Sequence, residues 1–242
     1  MVAFLLLCKV RSFNLPTSGK TFVPNRQMFH VKQLRIGNVM SSTPTLTNIR
    51  QVSDGWIKKY ILEYTLPDGS SYEYESVSRK AIDAYRSELE GNATGKRPQP
   101  DAVCIVPQTA DGKLLLIREF RYPLNSWCIA FPAGLVEPRE TLIACVDREL
   151  REEIGYALRA SLGNEALDPL PQVGYSSTGL TDETVQVIFA HVEKVANAQP
   201  EPGEFIDPFL LAIDDIPRFL TENTLPIGTR AQLILEAFAR RR

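Results

Sequence analysis

Residues 134–156 read GLVEPRETLIACVDRELREEIGY, and the spacing of their acids decides how the rest of the chain is read. Glu149, Glu152 and Glu153 stand at i, i+3 and i+4, so on a helix they share one face and their carboxylates converge. Leu142, Ile143, Val146, Leu150 and Ile154 recur with helical period beside them, a stripe suited to burial against a sheet. Three clustered carboxylates at a core edge repel one another and lose hydration unless a hard cation such as Mg2+ or Mn2+ compensates them. Such an ion polarises a phosphoryl oxygen and lowers the pKa of a bound water. Taken alone, RELREE would also suit a solvated helix face laced with Glu–Arg pairs. The preceding FPAGLVEPRET decides against that, because a Pro-Ala-Gly loop directly before a helix lets backbone carbonyls turn toward a ligand. Glu140 is half a turn out of phase with Glu149, so it is read as structural, paired with Arg148.

Working outward, Trp56 to Arg79 contains two alternating runs around Pro67-Asp68-Gly69, a hairpin signal. The polar AIDAYRSELEGNATGKRPQP follows, with a boundary placed near Lys96 to Pro100. AVCIVPQ and KLLLIREF read as strands paired around Asp111-Gly112, WCIAFPAG as a strand entering the 134–156 segment, and ETVQVIFAHV as a further strand. IDDIPRFL and TRAQLILEAFARRR read as helices. Strands flanking a helix, with more helix at the end, predict an α+β chain built as an α/β/α sandwich. Its expected parts are an extension or mis-assigned start over residues 1–45, with Met28 or Met40 as the true initiator, an antiparallel β subdomain over 46–97, and the catalytic domain over 98–242.

The formal net charge is -2 and the only basic run is Arg240, Arg241 and Arg242, so nucleic acid as an obligate partner is unsupported. MVAFLLLC is too short to span a bilayer and lacks a positively charged leader, so no membrane partner is expected. Cys8, Cys104, Cys128 and Cys145 have no C-x-x-C spacing and read as free thiols in a reducing cytoplasm. Neither His30 nor His191 has a ligand partner at metal spacing, and His191 is read as a strand residue.

The 134–156 segment is similar to the signature of the Nudix hydrolases, with Gly134, Glu140, Arg148, Glu149, Leu150, Glu152, Glu153 and Gly155 all in register. Tyr156 departs from the usual small aliphatic residue and is tolerated in the ADP-sugar branch. Together with WIKKYILEYTLPDGSSYEYESVSR, LIREFRYPLNSWCIAFPAGL and SSTGLTDE, it makes residues 46 to 238 resemble the ADP-ribose and ADP-sugar pyrophosphatases. The resemblance implies a Nudix fold, Mg2+ or Mn2+ as cofactor, and cleavage of ADP-ribose to AMP and ribose 5-phosphate. It implies metal ligation by Glu149, Glu152, Glu153 and the Ala133 carbonyl, with Arg148, Glu152 and Glu153 in the catalytic machinery. Trp56 and Tyr74 match aromatics that sandwich adenine, Glu75 and Arg79 match polar contacts to base and phosphate, and Arg121 matches an arginine on the diphosphate. Leu135 and Glu183 join that substrate set, and Pro171 stands where such enzymes carry a Pro marker of ADP-ribose specificity. The general base comes from a loop after the sheet, where Glu201, Glu204 and Asp207 are candidates. Glu204 is chosen because GEF aligns with the family's loop and Gly203 permits a hinge, with Glu183 as runner-up. The family also implies a homodimer in which the N-terminal hairpin packs across a two-fold axis. GDP-mannose, UDP-glucose, FAD or a dinucleoside polyphosphate would use the same helix with altered base contacts. A non-catalytic ligand-sensing module is the remaining alternative, and the intact acids argue against it.

Overall fold

The computed structural model describes residues 43–240, which form one compact unit. The expectations for Met28, Met40, Cys8 and His30 lie outside these residues. Strands β1 (Thr45–Gln51), β2 (Lys58–Thr65) and β3 (Ser71–Ser78) form an antiparallel sheet in that order. The β2–β3 turn closes as the sequence predicts: Gly69 takes φ +84°, and the Asp68 carboxylate accepts the Ser70 N–H at 2.9 Å. Register places Tyr60, Leu62, Tyr64, Tyr72 and Tyr74 on one face. The opposite face carries the Lys59–Glu75 and Arg50–Glu73 ion pairs. Helix α1 (Ile82–Ala93) covers part of the tyrosine face, where Tyr85 packs with Ile49, Tyr60 and Leu62. Residues 81–100 carry no clear apolar stripe, so periodicity alone does not mark this helix. Tertiary burial of Tyr85 supplies what periodicity does not.

The second sheet is mixed and runs β10-β11-β4-β5-β12. Its members are β4 (Ala102–Gln108), β5 (Leu114–Arg121), β6 (Ser126–Ala130), β7 (Ala133–Leu135), β8 (Tyr156–Leu158), β9 (Leu167–Pro169), β10 (Gly174–Tyr175), β11 (Thr184–Lys194) and β12 (Ile206–Leu211). β4 and β5 pair at Gln108–Leu114 beside their turn, then diverge, β4 onto β7 and β5 onto β6 and β12. β4 lies parallel to β11. Near-continuous burial along β4 and β5 follows, because alternate residues feed cores on both faces. Leu114, Leu116, Cys104 and Val106 pack with Ile216 of α3 (Ile216–Glu222) and Ala231 and Leu235 of α4 (Thr229–Ala239). Val103, Ile105, Leu115 and Ile117 pack with Cys145, Val146, Leu150 and Ile154 of the helical segment opposite. This is the expected α+β, α/β/α sandwich. His191 lies on β11 as expected, and Cys104, Cys128 and Cys145 are buried free thiols. β12 replaces part of the loop expected after the sheet, since its proline and aspartate mask the alternation.

The two sheets join where β3 docks on residues 177–183. Val77 N–H donates to the Leu180 carbonyl at 3.0 Å and the Tyr74 hydroxyl to the Gly179 carbonyl at 2.7 Å. Lys80 seals the seam against Asp101, Asp182 and Glu88 at 2.8, 2.9 and 3.1 Å. Burial alone would lower the Lys80 pKa, but the Asp101 and Asp182 hydrogen bonds outweigh it and raise it.

Candidate functional site

Helix α2 (Leu142–Glu149) starts at Thr141, whose side chain accepts the Ala144 N–H at 3.2 Å as an N-cap. It does not continue as a plain α-helix. Leu150–Ile154 is a π-turn, which ends at Gly155 in a left-handed conformation, φ +72°. The sequence reading assumed an unbroken α-helical period through Glu152 and Glu153. In the wider turn Glu153 is 4% exposed while the Glu152 side chain stays 37% exposed, so the acids of one face differ sharply in burial.

Gly134 on β7 lets the helix come close: a Cβ there would stand 1.8 Å from Glu149 Oε1. Ala133 N–H donates to Glu153 Oε2 at 3.1 Å, tying the loop to the helix from the other side. Arg148 is the cationic hub. Its guanidinium donates to Glu140 at 2.9 and 3.1 Å, to Glu149 at 2.7 Å, to Glu152 at 3.1 Å and to the Leu135 carbonyl at 3.0 Å. The Glu140–Arg148 pair anticipated from the helical phase is therefore present. It holds the Glu140 carboxyl at about 2. Burial pushes Glu149 up despite Arg148, and burial with the Glu149 and Glu119 charges pushes Glu153 well above the usual carboxylate range.

Glu204 adds to the same field, acting on Glu149, Glu153 and Glu119. It ends the turn Glu201–Pro202–Gly203–Glu204, where Gly203 takes φ +98° and the Glu204 carboxylate accepts the Glu201 N–H at 2.9 Å. Two contacts from the end of β5 bracket it. The Tyr122 hydroxyl donates to the Gly203 carbonyl at 2.9 Å, and Phe120 N–H to the Phe205 carbonyl at 3.0 Å. Of the other acids considered for this loop, Asp207 is ion-paired with Arg118, and Glu201 supplies the backbone of the turn.

The residues assigned to substrate fall into two groups. Trp56, 74% exposed, lines a depression of about 550 Å³ with Arg79, Leu135, Arg139, Glu140 and Leu142, beside the acid cluster. Tyr74 lines a larger cavity of about 1230 Å³ under the tyrosine face, along with Pro171. Within one chain Trp56 and Tyr74 therefore do not face each other across a single slot. Glu75 points to the outer face, bonded to Lys59 at 2.8 Å. Arg79 and Glu183 are paired with each other at 2.7 Å. Burial would raise Glu183, but hydrogen bonds from Ser176 and Arg79 outweigh it and hold its carboxyl low.

Arg121 is paired with Glu119 at 2.9 Å. Glu119 continues the face of Leu115 and Ile117, so the half-buried acid and Arg121 both fall on the α2 side. From the sequence alone Glu119 is assigned no role at the site. The period-two run from Leu115 to Arg121 was the signal available for it. Among the described residues no three His, Cys, Asp or Glu side chains already converge on one point as an ion cage. The donors present are nonetheless hard carboxylate oxygens in mutual repulsion, a set that suits Mg2+ or Mn2+.

A family profile, the NUDIX domain, matches residues 98–229. The chain is 29% identical over 182 residues to an ADP-sugar pyrophosphatase of Mus musculus, covering 71% of this chain and 74% of that protein. It is 30% identical over 145 residues to an ADP-ribose pyrophosphatase of Bacillus subtilis, covering 57% and 75%. A crystal structure of an ADP compounds hydrolase superposes with a TM-score of 0.59 at 21% identity over 81% of this chain and 92% of that one, which speaks to the fold alone.

Proposed function

This chain belongs to the Nudix family and is a pyrophosphatase, a hydrolase of nucleotide-sugar diphosphates, and from that premise we propose that its substrate is ADP-ribose, cleaved to AMP and ribose 5-phosphate. The observation that carries the reading is the buried acid pair, Glu149 packed on Gly134 and Glu153 bonded to Ala133 N–H, with the Glu204 charge acting on both. Glu149, Glu152, Glu153 and the Ala133 carbonyl would hold Mg2+ or Mn2+, which would neutralise charge on the diphosphate and acidify a bound water. Glu204 accepts the proton of the attacking water as it adds to a phosphorus. The bond from that phosphorus to the bridging oxygen breaks, and the displaced phosphate keeps that oxygen. Arg121 holds the diphosphate through its guanidinium fork, and Arg148 keeps Glu149 and Glu152 aligned.

Trp56 stacks on adenine, and the second aromatic, Tyr74, comes from another copy of the chain in a homodimer. The exposed Val52, Trp56, Ile57 and Tyr72 and the 1230 Å³ cavity support such a contact, since a monomer would leave this apolar surface wet. Buried free thiols at Cys104, Cys128 and Cys145 support a reducing compartment, the cytoplasm. Among the described residues no helix is long and apolar enough to cross a membrane.

The test is a product assay across ADP-ribose, GDP-mannose, UDP-glucose and FAD with Mg2+ and with Mn2+. Preferred release of AMP and ribose 5-phosphate is expected. A higher kcat/KM on another substrate moves the assignment to that nucleotide, and no turnover on any of them refutes the catalytic reading.

A further inference from the structure

The chain contains one turn twice. Glu137–Pro138–Arg139–Glu140 and Glu201–Pro202–Gly203–Glu204 both close with the fourth residue's N–H on the first residue's carbonyl at 3.0 Å. In both, the fourth residue's carboxylate accepts the first residue's N–H, at 3.0 and 2.9 Å. Proline at the second position and a positive φ at the third are the pattern of a type II turn, which favours glycine at the third. The second copy has Gly203 there at φ +98°, while the first has Arg139 at φ +70°. A branched-off side chain in the left-handed region is a standing cost, and a cost retained in a structure is a reason to look for what the side chain does.

Arg139 lines the depression that also holds Trp56 and Arg79. Its neighbours are committed: Arg79 pairs with Glu183, and Arg148 is saturated by Glu140, Glu149 and Glu152. Arg139 has no ion pair or hydrogen bond to a side chain among the described residues. An exposed indole beside an uncommitted guanidinium offers a stacking face and a planar set of donors in one place.

We propose that Arg139 is a specificity-determining residue whose guanidinium donates to hydrogen-bond acceptors on the nucleoside half of the substrate while Trp56 stacks on the base. The inference rests on the nucleotide-sugar reading above and adds to it the residue that selects among such substrates. Loss of one charge-assisted hydrogen bond should weaken binding about tenfold or more. Relief of the left-handed strain should at the same time stabilise the fold.

Arg139→Gly separates the two effects. In steady-state hydrolysis of ADP-ribose its KM should rise about tenfold with kcat within a fewfold, and its Tm should rise by roughly 2–4 °C for a chain of this size. Arg139→Lys keeps a charge without the fork and the strain without relief, so it should give an intermediate KM and no rise in Tm. The ratio of kcat/KM for ADP-ribose over UDP-glucose and GDP-mannose should move toward one in the glycine variant. Unchanged KM for all three substrates in Arg139→Gly, with the wild type active, overturns the inference and leaves the hydrolase reading intact. A raised KM accompanied by a lowered Tm also overturns it, because Arg139 would then be supporting the turn. A wild type inactive on every nucleotide sugar removes both readings.

Discussion

Replacing Gly134 by alanine puts one methyl group into a space the site does not have. The new Cβ would lie 1.8 Å from Glu149 Oε1, 2.0 Å from its Cδ and 2.5 Å from Oε2. Ordinary contact begins near 3.4 Å, so the carboxylate must retreat by about 1.6 Å. β7 cannot yield instead, because Gly134 is held in register with Val103 on β4. Moving the carboxylate strains or breaks its 2.7 Å hydrogen bond from Arg148 inside a mostly buried cluster, at a cost of about 2 kcal/mol. For a chain of this length that is a fall in Tm of roughly 4–8 °C. A catalytic group displaced by more than an ångström costs about 100-fold in rate, so kcat with saturating Mg2+ should drop by at least that factor. Gly174→Ala is the control, since a Cβ there meets nothing within 4 Å, and both Tm and kcat should stay near wild type. Calorimetry and steady-state kinetics on the two variants decide the matter. A Gly134→Ala enzyme with wild-type Tm and kcat would refute the claim that Glu149 must sit against β7 for catalysis.

Glu152→Gln and Glu153→Gln should each cut kcat by roughly 100-fold or more at saturating metal while circular dichroism stays native. In metal-free protein Glu153→Gln should also raise stability above pH 4.5, because its raised carboxyl pKa means that ionisation in that range disfavours the fold. Glu204→Gln should lower kcat by about 100-fold or more with little change in KM. Tyr122→Phe should act in the same direction but add nothing in the Glu204→Gln background, and the opposite result for Glu183→Gln would transfer the base to that loop. The Glu140 carboxyl, held at about 2 in the fold against 4.5 in the unfolded chain, contributes stability that is complete above pH 4.5 and lost as pH falls toward 2. Glu140→Gln should therefore flatten the acid limb of the Tm profile in that window, and an unchanged slope would count against the Arg148 hub. Trp56→Ala should raise KM for ADP-ribose more than it lowers kcat, and light scattering of wild type should return a dimer at micromolar concentration.

The sequence made the sandwich legible wherever one residue type had one job. The continuous apolar run Leu114 to Ile117 and the Pro67-Asp68-Gly69 turn are local rules, and the structure follows them. Helix α1 was hidden because its only fully buried side chain, Tyr85, is positioned by contacts with a sheet more than twenty residues away in sequence on the β1 side. The π-turn at Leu150–Ile154 was hidden for a different reason: REE spacing is compatible with either helix, and which one forms depends on how far Glu153 must drop to meet Ala133 N–H. Glu119 was visible in principle, since period two from Leu115 leads to it, but charge on a strand end reads as solvent exposure until the α2 side is known to be closed.

The EPRE and EPGE tetrapeptides at 137–140 and 201–204 were equally open to inspection. A prolyl turn that accepts glycine in one place and carries arginine in another is a local rule broken once and obeyed once in a single chain. Conflict of that kind between backbone preference and residue choice marks the positions where function rather than stability sets the residue. Both turns border the acid cluster. In the first, Glu140 caps the turn and anchors Arg148, which fixes its carboxylate in place. In the second, Glu204 caps the turn with Gly203 at its hinge, and no arginine fork fixes it among the described residues. One motif thus carries an acid paired with Arg148 in one place and an acid without an arginine partner among the described residues in the other, and the base proposed above requires the second to exchange its hydrogen bond to the Glu201 N–H for one to a water.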